Sequence, residues 1–526
     1  MRVLLMLSVM LVALTIAAIG VMAVEDRALP VYPGEDGRLV YEPDERGNTI
    51  PDFSNCGYRG GGVPLPDVPV RVTLEPEEGD DGDRIQAAID QVSEMPLDDD
   101  GFRGAVLLGA GEYQIEGTLR IAASGVVLRG EGDGEDGTIL LATGNEQRTL
   151  ITVSGEGNRE EIEGTRVAVT DDYVPIGART MTVEDAGDLS VGDDVVVVRP
   201  ATAEWISTIG MDRIPERRDG GRVVQWTPEA YTIHYERQIT GIDGNTITIN
   251  APMVMSLDQE FGGGYVYRYE WPGRISNVGV EYLRGVSEFD PEITATRGDR
   301  EYYADEDHGW ILIAVDRAED AWVRNVTSVY FGYSCVYARS RSKRVTVQDC
   351  AYLEPVSRIA GARRYSFASN GHKALFMRCY AEHGRHDFVM HARAPGPNAF
   401  VDCVADNAYS DTGPHHRWAT GTLFDNVVVN GHAINVRDRG NSGTGHGWAG
   451  AQQVFWNCTA DSIICQQPPT AQNWAIGCIA ERRSGDGYWA SFGEPVQPRS
   501  LYLAQLRERL GDAAVEAIAL PEQIEQ

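Results

Sequence analysis

Between Val326 and Cys478 one short pattern keeps returning: an apolar strand, a polar residue, then Cys or Val. It reads Arg324-Asn325-Val326, Gln348-Asp349-Cys350, Met377-Arg378-Cys379, Val401-Asp402-Cys403, Asp425-Asn426-Val427, Trp456-Asn457-Cys458 and Ile476-Gly477-Cys478. The steps between final members are 24, 29, 24, 24, 31 and 20 residues. A period of that size, with strands and turns in each unit, marks a stacked solenoid. In a solenoid, sequence spacing becomes position, and residues one period apart sit about 4.8 Å apart, as neighbours in a parallel sheet.

From Cys379 to Val427 the step is 24 throughout, so columns can be read off directly. One holds Asp387, Asp411 and Asn435; a second His391, His415 and Arg439; a third Arg393, Arg417 and Asn441. Alternate residues of a strand point to one side, so an extended segment puts all three columns on one face. Most charged columns are solvated faces laced with ion pairs. Imidazoles and guanidiniums at matched heights favour a site instead.

The 526 residues carry a net charge of −32 with a pI near 4.7, and only Lys343 and Lys373 are lysines. Such an acid excess excludes general nucleic-acid binding, which needs a basic footprint. An acidic ligand then needs a local Arg-rich cleft within a repelling field. Residues 1–23 have the form of a secretory signal: Arg2, an apolar run from Val3 to Ile19, and the small-residue site Val21-Met22-Ala23. An uncleaved anchor is the alternative, which the short apolar run disfavours. With no later span, the mature chain is expected to be secreted or periplasmic. Five of the eight cysteines (Cys350, Cys379, Cys403, Cys458, Cys478) share one place in the repeat. Stacked Cβ atoms lie slightly too far apart for relaxed disulfides, so a ladder of reduced, buried thiols is expected. One disulfide among Cys56, Cys335 and Cys465 is left open.

Residues 24–75, rich in Pro, Gly and Asp, read as an extended arm. Asp83 to Val92 has helical spacing with Asp83 placed as N-cap. Short strands punctuated by Gly follow. The order "DRIQAAID", "GAVLLGAGEYQI", "TLRIAASGVVLRGEGDGEDGTILLATG" over residues 76–150 resembles the opening of the pectate-lyase-like right-handed parallel β-helix superfamily. That resemblance implies an all-β solenoid whose open N-terminal end is covered by an amphipathic helix, which prevents edge pairing. It implies carbohydrate-active chemistry without choosing one, since the superfamily includes lyases, hydrolases, epimerases and tail-spike proteins.

The expected organisation is a signal at 1–23, an arm at 24–75, first coils at 76–164, an inserted β-subdomain at 165–272, the main solenoid at 273–497, and a C-terminal helix and tail at 498–526. The insertion shows antiparallel strand patterns with a hairpin turn at Asp243-Gly244-Asn245. Its loop at 202–237, with Trp205, Trp226, Tyr231, His234 and Tyr235, either closes over a ligand or is an ordinary packed loop. The last helix has Ser500 as N-cap and Gly511 as stop.

The densest polar constellation is Arg385, His386, Asp387, His391, Arg393, Asp411, His415, His416, Arg417, Trp418, Arg437, Arg439 and His446, extended one coil back by Arg363, Arg364 and Tyr365. A long solenoid face with Trp and Tyr suits an extended polysaccharide. Two mechanisms fit. In β-elimination on an acidic, uronic-acid polymer, His391 or His415 removes the proton, while Arg393, Arg417 and Arg439 neutralise the carboxylate. In glycoside hydrolysis, Asp387 and Asp411 form the pair, together with Asp402, Asp406 or Asp438, at separations of about 5–9.5 Å. The abundance of His and Arg favours elimination. A non-catalytic carbohydrate-binding or adhesion protein is the rival of a different kind. No cofactor is required. Ca²⁺ is a candidate ligand of Asp305 and Asp307 in the run Asp305-Glu306-Asp307-His308.

Overall fold

The structure is a computed structural model that describes residues 26–524; the signal reading at 1–23 lies outside them. The chain is a right-handed parallel β-helix whose coils stack their strands into three parallel-stranded faces, two of which run on to the end of the solenoid. One face starts at Val70–Leu74 and Gly104–Leu108 and runs through Leu375–Met377, Asn398–Val401 and Thr422–Asp425 to Tyr488–Ala490. The second, joined to it round a corner, runs from Gly111–Ile115 to Ile479–Ser484. The third stacks Leu119–Ile121, Arg148–Ser154, Gly309–Asp316, Ser334–Ala338, Phe367–Ser369, Phe388–Met390 and Gly413–Pro414.

The recurring motif explains the corner between the first two faces. Asn325, Asp349, Arg378, Asp402, Asn426, Asn457 and Gly477 all have φ between 50° and 65°. This left-handed conformation is open to Gly and tolerated by Asn and Asp, but costs most residues about 1–2 kcal/mol. Stacking holds it in place, because each corner N–H donates to the next coil: Arg378 N to Val401 O, Asp402 N to Asp425 O, Asn426 N to Trp456 O. The bend turns the next residue inward, which is why that position is Cys or Val. All eight cysteines are buried and free, so neither the ladder nor the trio of Cys56, Cys335 and Cys465 forms a disulfide. The ladder thiols lean on backbone carbonyls, Cys403 Sγ at 3.6 Å from Phe376 O and Cys458 Sγ at 3.1 Å from Phe424 O. Beside them Phe376, Phe400 and Phe424 stack at 4.8 and 5.2 Å.

The helix covering the N-terminal end spans Gly82–Ser93, and its N-cap is Asp81, two residues before the expected Asp83. It buries Ile85, Ala88, Ile89 and Val92 over the first coil. The arm is not a loose extension. A hairpin of Val31–Pro33 and Leu39–Tyr41 lies in the same apolar cluster as the helix Leu501–Leu510. Gln505 accepts from Phe53 N at 2.8 Å and donates to Pro51 O at 3.0 Å. Residues 70–74 are already a solenoid strand, so the coils begin before residue 76. Ser500 caps the helix Leu501–Leu510 by accepting from Leu503 N, and Gly511 ends it, with the short helices Asp512–Glu516 and Pro521–Ile524 after it.

The insertion is an antiparallel sheet in the order Glu160–Glu161, Tyr265–Glu270, Asp194–Arg199, Ile233–Asp243, Thr246–Ile249, Thr180–Thr182. Its hairpin turns at Gly244 and Asn245 as the sequence indicates. The aromatic residues of the 202–237 segment pack: Trp205, Trp226 and Tyr231 are buried in a core shared with Trp418 of the solenoid, while residues 215–225 are largely exposed.

Candidate functional site

On the outer side of the third face, near its C-terminal end, lies a cleft of about 680 Å³. Along Phe388–Met390 alternate side chains part: Phe388 and Met390 enter the solenoid core, whereas Val389 faces out with Tyr333, Tyr337 and Tyr365. The register Val389↔Gly413 and Met390↔Pro414 keeps the 24-residue offset, so Asp387 lies beside Asp411 and His391 beside His415 in the backbone, as the columns require. The third coil departs from it. Thr412 pairs Ile434, an offset of 22, which sets Asn435 beside Gly413. A loop at 438–447 then breaks the count, and Arg417 N bonds His446 O. Arg439 therefore folds back onto Asp411 instead of stacking on His415, and His446 takes the place expected of Asn441.

The cleft is lined by His391, His415, His416 and His446, by Arg385, Arg417 and Arg439, by Tyr333, Tyr337 and Tyr365, and by Asn370, Ser442 and Thr444. Two tyrosine–histidine pairs face it: Tyr365 Oη lies 3.2 Å from His415 Nε2, and Tyr333 Oη lies 3.2 Å from His391 Nε2. Burial keeps the imidazoles neutral. His391 is lowered to about 4 by burial, and His446 to about 4 by burial and then by Arg439 and Arg417. His415 and His416 fall well below the ordinary histidine range for the same leading reason. Burial also raises Tyr333 and Tyr365. Each pair thus sets a phenol hydroxyl against a neutral imidazole, the donor being decided by the imidazole tautomer.

Below the cleft floor His386 is fully enclosed, its Nδ1 2.6 Å from Asp411 O. Burial alone would raise the Asp411 carboxyl; the facing His386 and Arg439 hold it well below the usual carboxylate range. Among the described residues, His386, Asp411 and His415 bring one ligand atom each within 4.8 Å of one another, and Glu354, Glu382 and His383 do the same in a neighbouring groove.

Several expected site residues lie elsewhere. Asp387 is fully buried under Gly384 and accepts from Ser366 Oγ at 2.6 Å, so it is no partner for Asp411 across a substrate. Trp418 is a core residue, 5.0 Å from Trp205, and offers no stacking surface. Arg363 pairs with Glu306 at 2.6 Å, and buried Arg364 donates to Ser357 O, away from the cleft. Arg393 donates to Ala230 O and lines the next pocket. Arg437 is half-buried outside the cleft wall. Asp305 accepts from Asp307 N in its own turn and from Asp290 N across the base of the preceding hairpin, and among the described residues neither Asp305 nor Asp307 belongs to a converging ligand group. Tyr333 and Tyr337 escaped the sequence reading because their coil is 31 residues from the next (Val336↔Phe367), outside the regular register.

No family model matches the chain, and no curated protein matches it. Among solved structures it is similar to the tailspike protein gp49 of Pseudomonas phage LKA1, at 13% identity and a TM-score of 0.43, over 75% of this chain and 56% of that one. It is similar to the Gp54 tailspike of Acinetobacter baumannii bacteriophage AP22, solved with a capsular saccharide, at 12% identity and 0.43, over 79% and 62%. The alginate lyase of Paenibacillus sp. str. FPU-7 matches at 8% identity and 0.38, over 80% and 97%. The chain thus spans less than two thirds of the length of these two tailspikes.

Proposed function

We propose that the chain binds an anionic, uronic-acid-containing polysaccharide in this cleft and cleaves it by β-elimination. The carrying observation is the wall itself. In a chain of net charge −32 the cleft wall holds three arginines and four histidines and no carboxylate. The groove continues at both ends with arginines in excess of acids. Asn370 is shared with a pocket bearing Arg159, Arg341 and Arg393 beside Glu236, and Ser442 and Gly443 with one bearing Arg217 and Arg218 beside Asp219. A polyanion several sugars long fits such a track.

In this reading Arg385, Arg417 and Arg439 hold the uronate carboxylate and stabilise the charge that develops on it. His391, held by Tyr333, takes the C5 proton; the C4–O bond breaks as the C4–C5 double bond forms; Tyr365 gives a proton to the leaving oxygen. A bound carboxylate also raises the lowered His391 toward a useful base strength. Hydrolysis by Asp387 and Asp411 is disfavoured, because one is enclosed and the other is committed to Arg439. The apolar start of the chain supports export to the periplasm or beyond.

The test incubates the purified protein with a panel of acidic polysaccharides and follows the ultraviolet absorbance of an unsaturated uronide. A rise that falls at least a hundredfold in His391→Ala and Tyr365→Phe is expected. New reducing ends without that absorbance would move the case to hydrolysis, and tight binding without either product would make the protein a binder.

A further inference from the structure

His386 and Asp411, with one side of His415, have no part in the elimination just described, yet they form an enclosed polar group next to the cleft. Their relative exposures are 0%, 6% and 6%. His386 Nδ1 is committed to Asp411 O at 2.6 Å, which leaves Nε2 buried with no hydrogen-bond partner among the described residues. His415 Nε2 is committed to Tyr365 Oη, which leaves Nδ1 buried and equally unpartnered. The two rings are 4.3 Å apart. Asp411 Oδ2 is held by Arg439, and Oδ1 accepts from Ser410 Oγ at 3.0 Å and lies 3.8 Å from His386 Nδ1. His446 stands 5.1 Å from His415, ring to ring, with its own Nδ1 buried and unpartnered.

Buried polar atoms in folded proteins find partners, so two orphaned ring nitrogens on touching histidines call for one. A bare polar pocket would be filled by rotating donors and acceptors; here the rings are fixed from behind. Each residue has one polar atom anchored, by a backbone carbonyl, a tyrosine hydroxyl or a guanidinium. Such anchoring fixes the tautomer and orientation of metal ligands. Two imidazoles and a carboxylate select first-row transition dications over Ca²⁺ or Mg²⁺, which prefer all-oxygen cages. Bonds of about 2.0–2.1 Å separate tetrahedral ligands by roughly 3.4 Å, within reach of small side-chain rotations from atoms already inside 4.8 Å.

We propose that His386, Asp411 and His415 bind a single zinc-class transition-metal dication, with its open position directed into the cleft towards His446. Three protein ligands and one open position is the arrangement of reactive rather than structural zinc sites. The binding stands independently of the elimination reading. Its role rests on that reading: an ion there adds a fourth positive group to the three arginines that receive the carboxylate.

The test takes the full chain, freed of any affinity tag and stripped with a chelator, and titrates it with Co²⁺ and then Zn²⁺. Heat of binding and the cobalt visible spectrum are the readouts. Expected are one equivalent bound, a tetrahedral-type cobalt spectrum, displacement by Zn²⁺, and a rise in melting temperature with metal. His386→Gln and Asp411→Asn are each expected to weaken binding at least tenfold, while His234→Gln, outside the cleft, leaves it unchanged. Circular dichroism of the metal-free variants identifies any that fail to fold, in which case His415→Gln is read instead. Absence of stoichiometric binding, or binding that survives these substitutions, overturns the site. Full uronide formation by the stripped protein would remove the catalytic role and leave elimination intact; metal binding without uronide formation on any polymer would do the reverse.

Discussion

Asp387 shows at the scale of one residue how a correct register can yield a wrong role. The 24-residue step places it beside Asp411, but the strand begins only at Phe388. Alternation therefore does not govern Asp387, and its carboxyl turns under Gly384, where a Cβ would lie 1.7 Å from Oδ1. Burial raises its pKa to about 7, with only the Ser366 hydroxyl opposing. In the unfolded chain the value is about 3.9. Between those values the folded state holds the extra proton, so stability falls as pH rises from about 4 to 7, and above 7 the whole penalty is present. Asp387→Asn removes it. Unfolding free energies from urea titrations are expected to match the parent near pH 4 and exceed it at pH 8, by at most about 4 kcal/mol, with turnover at pH 8 retained. Loss of turnover with stability unchanged would return Asp387 to the chemistry. By contrast the corner residues were legible one by one, because Asn325, Asp349, Asp402, Asn426, Asn457 and Gly477 are residue types that accept a positive φ. Arg378 at the same corner, with φ 52°, was placed by its spacing alone.

Among the elements, those with local periodicity were readable and those defined by long-range packing were not. The helices near residues 82–93 and 501–510 and the hairpin at 244–245 follow from caps, stops and turn residues. The loop at 438–447 has an open loop composition, DRGNSGTGHG, but that composition does not say where the loop lands, and it decides the cleft. It carries His446 and Thr444 to the wall and meets the insertion through Val224 N to Thr444 O at 3.0 Å and Asn441 Nδ2 to Glu216 O at 2.9 Å. Trp418 fixes the same junction from the other side. It was read as a sugar platform because aromatic residues next to charged ones often are. Instead it is wedged between Trp205 and Trp226 with both ring contacts edge-on. Trp418→Ala is expected to cost about 3–5 kcal/mol, whereas Trp418→Phe keeps most of the stability and leaves KM for polysaccharide within about twofold. Calorimetry and kinetics on the two variants check this; a large rise in KM for the phenylalanine variant at unchanged stability would restore the platform.

The whole molecule combines a strongly acidic surface with one basic track. The solenoid that makes this arrangement was visible in the sequence, since a repeat near 24 residues leaves few other folds. The clasp at its ends was not, because the arm's contacts with the helix Leu501–Leu510 span more than 440 residues, as from Tyr502 Oη to Cys56 O at 2.9 Å. The same separation of scales governs how a polyanion approaches. At long range the net charge of −32 repels it; within a few ångströms Arg385, Arg417, Arg439 and the neighbouring Arg159, Arg341 and Arg393 attract it. The Debye length shortens from about 30 Å at 0.01 M salt to about 10 Å at 0.1 M and about 3 Å at 1 M. Moderate salt therefore removes the distant repulsion before it reaches the contact pairs, and high salt weakens both. The association rate for an acidic polysaccharide is expected to rise from about 0.01 M to a maximum near about 0.1 M and then to fall. Arg341→Ala and Arg159→Ala lower the maximum for long chains more than for short oligosaccharides, which occupy only the central cleft. Stopped-flow binding across a salt series measures both effects. A rate that falls steadily from the lowest salt would mean that the basic track dominates at every range. One that only rises would mean that the arginines do not meet the ligand at all.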